Sequence, residues 1–365
     1  MNTLTIGFIG LGLIGGSIAK SIKKFHPNYQ VYAYDTSTDT LTKAYQEGVI
    51  DGICETDDMR FSQCEFLFLC APVSCNIQYL KELRPLLHPD CILTDVGSVK
   101  GSIHKEITDL HLDSFFIGGH PMTGSEKMGF HNSTDHLLEN AYYILTPSSE
   151  TQQEKLNTFK EFIASLGALP MIMSWKEHDY ITAAVSHLPH VVASSLVNLI
   201  EKLDSREEHM KTIAAGGFKD LTRIASSSPV MWEQICLTNR ENISNVLEEY
   251  IDLLEQVRDL VDKGDGAGLH TMFSNSREYR NSMSSASAGP IKKAYVLYCD
   301  IVDETGAIAT IATTLAMEQI SIKNIGIIHN REFEEGVLKV EFYRETDLAQ
   351  AGQLLRKRNY IIYER

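Results

Sequence analysis

Several shortages in this 365-residue chain each close a route. Seven cysteines are present, an odd number, and no two have CxxC spacing. A zinc ribbon or a disulfide framework therefore has no support, and the spacing predicts free thiols in a reducing cytosol, with no metal. Basic residues are scarce: 33 Lys and Arg face 48 Asp and Glu, for a net charge of −15. A surface for nucleic-acid phosphates is thereby excluded, though a local basic pocket could still take a small anion. No apolar run reaches the ~18–20 residues of a membrane span. The apolar start lacks a basic n-region and is interrupted by Gly7, Gly10, Gly12, Gly15 and Gly16, which speaks against a signal peptide. These features predict a cytoplasmic protein. Its 43% hydrophobic and 22% charged residues suit two or three ordinary globular domains.

The first segment, "LTIGFIGLGLIGGSIAKSI", opens with a short apolar strand. Gly10-Leu11-Gly12-Leu13-Ile14-Gly15 follows in GxGxxG spacing, and Ile14, Ile18 and Ile22 then recur at helical spacing. Gly10 permits a tight turn, Gly12 lets a pyrophosphate approach the backbone, and Gly15 lets the helix pack on the strand. The helix N-terminus offers free N–H groups and a partial positive charge to that anion. A lone GxGxxG is often an ordinary turn. Here a second strand, "YQVYAYD", ends in Asp35, twenty positions beyond Gly15. A carboxylate there accepts hydrogen bonds from ribose hydroxyls and repels a 2′-phosphate, so NAD is favoured over NADP.

Further near-continuous apolar runs, "EFLFLCAP" and "CILTDVGS", read as buried parallel strands. With "SFFIGG", "AYYILTP" and "ALPMIM" they predict a doubly wound, Rossmann-type sheet over residues 1–172. Ligands of such sheets sit beyond the carboxyl ends of the strands, where Ser98 and His120 fall. By itself His120 could equally cap a turn beside Pro121.

Residues 173–283 show no strand pattern and predict an all-α domain. "DYITAAVSHLPHVVASSLVNLIEKL" reads as one long apolar helix kinked by Pro189. On it Ser186 and His190 share a face, with His187 roughly 100° away. Asp220 and Arg223 are three apart, close enough to pair. Ser228 and Pro229 start another helix, with Met231 and Trp232 in its first turn. His187 and Trp232 could each be simple packing residues. "SMSSASAGP" is a linker of small residues. Residues 291–365 then run strand, helix, strand, strand, helix, strand, the βαββαβ order of a ferredoxin-like sandwich.

"GLGLIGGSIA", "TDVGSVKG", "GGHPMTGSE", "SHLPH" and "GGFKDLTRIASSSPVMW", in this order, closely resemble the prephenate dehydrogenase family of tyrosine biosynthesis. The resemblance covers residues 1 to about 285. The tail resembles an ACT domain, a module that binds amino-acid effectors. The resemblance implies a catalytic role for His120, with Ser98 bonding the substrate hydroxyl and orienting the histidine. It implies a substrate pocket containing Ser125, Glu126, Ser186, His190, Gly216, Asp220, Arg223, Met231 and Trp232, with Arg223 holding a carboxylate. It also implies a homodimer, prephenate as substrate and 4-hydroxyphenylpyruvate as product. An aromatic amino acid, tyrosine by pathway logic, is the expected effector, with Gly306 and Asn324 as contacts. Arogenate is the alternative substrate. A β-hydroxyacid dehydrogenase, which would use a lysine as proton acceptor, and a non-catalytic metabolite sensor are the more distant readings.

Overall fold

The computed structural model describes residues 3–124, 127–286, 295–301, 304–328 and 336–364. They form two compact units, Met1–Leu269 and His270–Arg365.

The first unit is built on strands β1 (Thr5–Ile9), β2 (Gln30–Tyr34), β3 (Gly52–Ile53), β4 (Phe66–Leu69) and β5 (Ile92–Asp95). All pair in parallel, in the order β3-β2-β1-β4-β5. Helices α1 (Leu13–Phe25), α2 (Thr38–Gln46), α3 (Val73–Leu83) and α4 (Gly101–Asp109) provide the crossovers and the continuation beyond β5. The strand pattern explains why both faces are covered. Along β1 and β4, Ile6, Phe8, Phe66 and Phe68 join one buried cluster, while Ile9, Leu67 and Leu69 join another. The first cluster takes Ile18 and Ile22 of α1; the second takes Leu80 and Leu83 of α3 with Ile103 and Ile107 of α4. A strand whose alternate residues are both apolar has to be sandwiched.

The sequence suggests that one doubly wound sheet continues to residue 172. The structure instead divides it. A single parallel bridge, Leu93 to Phe116, leads to a separate three-stranded sheet of β6 (Ile117–Pro121), β7 (Tyr142–Pro147) and β8 (Leu169–Ile172). β7 runs antiparallel to β6 because a loop, without a crossover helix, returns the chain between them. Helix α5 (Gln153–Ser165) then restores a parallel step from β7 to β8. Its Phe162 stacks on Phe66 with ring centroids 4.3 Å apart.

The helical layer begins with α6 (Trp175–Thr182), passes through a π-helical turn, Ala183–His187, and continues as α7 (Leu188–Leu203). The Leu188 N–H donates to the Ala183 carbonyl, five residues back. Pro189, which has no N–H, sits in the first turn of α7, so the chain accommodates it by widening one turn. Short helices α8 (His209–Ile213), α9 (Gly216–Thr222) and α10 (Pro229–Thr238) lead to the long α11 (Arg240–Asp262) and α12 (Gly266–Ala286). By length and composition the helical run Trp175–Leu203 is long and apolar enough to cross a membrane, which corrects the expectation that no such run exists. It packs on α11 and on the turn Arg223–Ser226, and its His178 and Asp179 are buried and hydrogen-bonded, as befits a helix of a protein layer.

In the second unit, β9 (Tyr295–Ile301), β10 (Ile322–Ile328), β11 (Gly336–Phe342) and β12 (Ile362–Glu364) form an antiparallel sheet, ordered β10-β11-β9-β12. Helices α13 (Ala307–Met317) and α14 (Glu345–Lys357) complete a core containing Leu297, Ile311, Leu315, Val340, Phe342 and Leu355.

The β1–α1 turn is sterically closed. A Cβ on Gly15 would lie 2.5 Å from the Gly10 carbonyl oxygen, which belongs to the backbone and cannot swing aside. Gly15→Ala is expected to cost about 1–3 kcal/mol and to lower the melting temperature together with affinity for NAD. Unchanged values for both would contradict this packing.

Candidate active site

The nucleotide end is shaped by the first two strands. Gly10 ends β1 at φ +97°, a conformation that favours glycine, and its N–H donates to the Tyr34 carbonyl at 2.7 Å. Gly12 occupies the N-cap of α1 with no side-chain cap, and a Cβ there would meet nothing within 4 Å. The first amides of α1 therefore lie under open space, as an anion requires. Asp35 follows β2; its Oδ2 accepts from Leu11 N at 2.7 Å and its Oδ1 from Ser37 N at 2.8 Å. Together with Gly10, Gly12, Cys70, Ala71, Pro72 and Tyr79 it lines a cleft of about 290 Å³ at the carboxyl ends of the parallel strands. These features fit a dinucleotide whose adenosine ribose meets the carboxylate.

The acid–base centre lies at the ends of β5 and β6. Asp95 and Lys100 are buried and paired, Nζ to Oδ2 at 2.5 Å. Lys100 Nζ also donates to the Gly119 carbonyl at 2.6 Å, and Asp95 accepts from the amides of Gly97 and Gly119. This pair fastens β6, hence the residue after Gly119, to the end of β5. Burial pulls the Lys100 pKa down, against the pull of Asp95.

His120 is half-buried. Its Nδ1 lies 2.8 Å from His178 Nε2, and His178 Nδ1 lies 2.7 Å from Asp179 Oδ1. The Asp179 carboxylate also accepts from Lys100 N at 2.8 Å and Gly101 N at 2.7 Å, so it caps α4 from another helix. Burial, with His178, Lys100 and His187 nearby, holds the His120 pKa well below the usual histidine value. A neutral imidazole can accept a proton at neutral pH. Ser98 stands half-buried on the loop after β5; the hydrogen bond on His120 Nδ1 goes to His178.

In the helical layer, His190 stacks on Trp232 with centroids 3.8 Å apart, and His187 meets the same indole edge-on at 6.0 Å. His190 Nδ1 and Trp232 Nε1 are buried and find no hydrogen-bond partner among the described residues. Buried orphans of this kind call for a bound partner. His187 is different: Asn239 Nδ2 lies 3.2 Å from its Nδ1, and burial lowers its pKa to about 4. Ser186 lies half-buried in the π turn. Gly216, Asp220, Arg223 and Met231 occupy exposed positions on α9, the turn Arg223–Ser226 and the start of α10. Ser125 and Glu126 lie outside the described residues. Another cleft, about 880 Å³, runs between α4, α6 and the α10–α11 junction; His120 does not line it.

A family model described as prephenate dehydrogenase, nucleotide-binding domain, matches residues 18–171. A second, described as prephenate dehydrogenase, dimerization domain, matches residues 174–275. The prephenate dehydrogenase of Bacillus subtilis is 38% identical over 357 residues, covering 97% of this chain and 96% of that protein. The chain belongs to the prephenate dehydrogenase family. The crystal structure of the Aquifex aeolicus prephenate dehydrogenase with hydroxyphenyl propionate and NAD+ superposes with a TM-score of 0.73 at 32% identity. It covers 78% of this chain and 99% of its own. Synechocystis arogenate dehydrogenase gives a TM-score of 0.70 at 27% identity, covering 77% of this chain and all of its own.

Sequence reasoning missed His178, Asp179, Lys100 and Asp95. "KEHDY" reads as the polar start of a helix and "SVKG" as a loop lysine. The usable signal was the His-Asp pair at the head of an otherwise apolar helix, where a solvent-facing role is not the only choice.

His104, buried against Thr146, Phe116 and Trp175, and His187 both have pKa values lowered to about 4, chiefly by burial. The unfolded chain therefore binds these protons first. Their contribution is intact above pH ~6.5 and is lost as pH falls toward 4, by up to about 1.4 kcal/mol per pH unit for each group. Melting temperature is expected to drop over that window, and His104→Asn is expected to flatten the slope. An equal slope in wild type and variant would remove His104 from this role.

Proposed function

We propose that the chain catalyses the NAD-dependent oxidative decarboxylation of prephenate to 4-hydroxyphenylpyruvate. The observation that carries this is the partly exposed His120 at the end of β6, held by His178, in the same unit as the nucleotide cleft. Gly10, Gly12 and Asp35 would hold NAD, which would supply the hydride acceptor for C4 of the ring. His120 accepts the proton of the C4 hydroxyl, and loss of CO2 aromatises the ring. The low-pKa setting keeps the imidazole free until a dianionic substrate arrives, whose charge favours the protonated form. Ser98 bonds the same hydroxyl. Asp35 selects NAD over NADP by repelling a 2′-phosphate.

Arg223 holds a substrate carboxylate through paired hydrogen bonds. Gly216, Asp220, Met231, Ser186, Ser125 and Glu126 line the same pocket. His190 Nδ1 and Trp232 Nε1, which lack partners among the described residues, supply polar contacts to the pyruvyl side. A keto oxygen matched there would be poorly replaced by the ammonium of arogenate.

The assembly is a homodimer. Val185, Leu199, Leu203, Ile213, Leu221 and Leu237 of the helical layer are each more than 45% exposed in the single chain, an apolar surface that a second copy would cover. The description of the matching family model as a dimerization domain supports this. The second unit is a ferredoxin-like ACT module that binds an aromatic amino acid, tyrosine by pathway logic. Its βαββαβ order and its sharing with the Bacillus subtilis relative, 97% of this chain being covered, support that reading. Gly306, at φ +93° before α13, and Asn324, at an irregular step of β10, are the proposed contacts.

NADH formation from prephenate and from arogenate tests the reaction. Prephenate is expected to give the larger kcat/KM. His120→Asn is expected to lower kcat by ~10²–10⁴ with little change in KM, whereas a variant near normal kcat would overturn the assignment. Added tyrosine is expected to lower the rate and shift the melting temperature, and no effect on either would exclude tyrosine as effector.

A further inference from the structure

We propose that His178 and Asp179 form a fixed relay behind His120 that sets its tautomer and leaves Nε2 as the proton-accepting atom. This rests on the assignment of His120 as the base.

The argument starts at the far end. Asp179 is 3% exposed and accepts from two backbone N–H groups at the start of α4. Both of its carboxylate oxygens accept a backbone N–H, and the partial positive end of α4 favours a negative charge there. The carboxylate accepts, so His178 Nδ1 must carry the proton across the 2.7 Å contact. A neutral His178 then has only a lone pair on Nε2. The facing atom, His120 Nδ1, lies 2.8 Å away and must donate. A neutral His120 protonated on Nδ1 has its lone pair on Nε2. Each step uses one hydrogen per hydrogen bond, and no other assignment of neutral rings satisfies both contacts.

The relay is built to hold position. His178 is 1% exposed and its carbonyl accepts from Thr182 Oγ1 at 2.9 Å. The Asp179 carbonyl accepts from Asn239 Nδ2 at 2.7 Å, which anchors the relay to α11. The groups facing His120 are His178 from α6, Lys100 from the start of α4 and His187 from the π turn, with Asp95 behind Lys100 and Asp179 behind His178. Of these, only His178 offers an acceptor to His120 Nδ1. When His120 takes the substrate proton on Nε2, its Nδ1–H is already directed along a chain that ends in a buried carboxylate. The developing charge is stabilised without reorganisation. His178 and Asp179 touch no reacting atom; they are positioning residues.

Nitrogen NMR of the protein labelled in histidine, with NAD bound, reads the tautomer directly, His120 being assigned by loss of its signals in His120→Asn. His120 is expected as the Nδ1–H tautomer in wild type and as the intrinsically preferred Nε2–H tautomer in His178→Leu. The same variant is expected to lose about 10- to 100-fold in kcat, with KM for prephenate within about twofold. His178→Gln, whose amide oxygen can accept from Nδ1–H, is expected to recover part of the loss and the Nδ1–H signature. An Nε2–H tautomer in wild type, or a tautomer unchanged in His178→Leu, overturns the relay. Glutamine no better than leucine, with kcat, KM and melting temperature falling together, shows a packing role and also overturns it. Full activity of His120→Asn would instead sink the base assignment itself, so the two failures are separable.

Discussion

The Asp179 carboxylate receives two backbone amides from the head of α4 and one imidazole from its own neighbour. α4 has no side-chain cap of its own, so a residue 78 positions away along the chain closes its first turn. The contact fixes the helical layer to the end of the parallel sheet. It places His178 where His120 can reach it and sets the direction of the hydrogen bond between them. Deleting this one group would strand buried donors on two elements, at about 1–3 kcal/mol for each group left unpaired. Lys100 works on the other side of the same junction. Its backbone N–H serves Asp179 while its ammonium serves Asp95 and Gly119. One residue thereby joins the support of the base to the strand that carries it.

The nucleotide half of the molecule was legible because its determinants are local. Gly10, Gly12 and Gly15 act within one turn, Asp35 ends the adjacent strand, and the apolar runs of β1 and β4 can only be buried strands. The support behind His120 was illegible for the opposite reason. His120 and His178 are 58 residues apart, and no periodicity or spacing encodes a contact between two loosely related segments. Ser98 was marked by its motif after β5, but the hydrogen bond that holds His120 Nδ1 is made with His178 instead. β7 was expected as a strand, but its antiparallel direction escaped notice, since a strand's apolar pattern does not state its direction. Residues of α9 and α10 are exposed in the single chain, so burial gives no support to the motif that marks them.

The second unit follows a different logic. It carries its own apolar core, and its elements contain no buried cluster of acid and base groups comparable to that of the first unit among the described residues. The solved relatives cover nearly all of their own length with little more than three quarters of this chain.

The widened turn at Ala183–His187 has a consequence for how this helix tolerates change. Upstream of it stand His178 and Asp179, facing the sheet; downstream stands His190, facing Trp232. Five residues there span what four would in a regular helix. Excising any one of them would let the backbone relax to ordinary winding. The segments on either side would then keep nearly the same phase and separation, because four residues of regular winding cover the same turn. The extra residue therefore acts as an absorbed insertion: losing one residue within this turn leaves the two segments aligned, whereas losing one elsewhere along the helix rotates the far segment by about 100°.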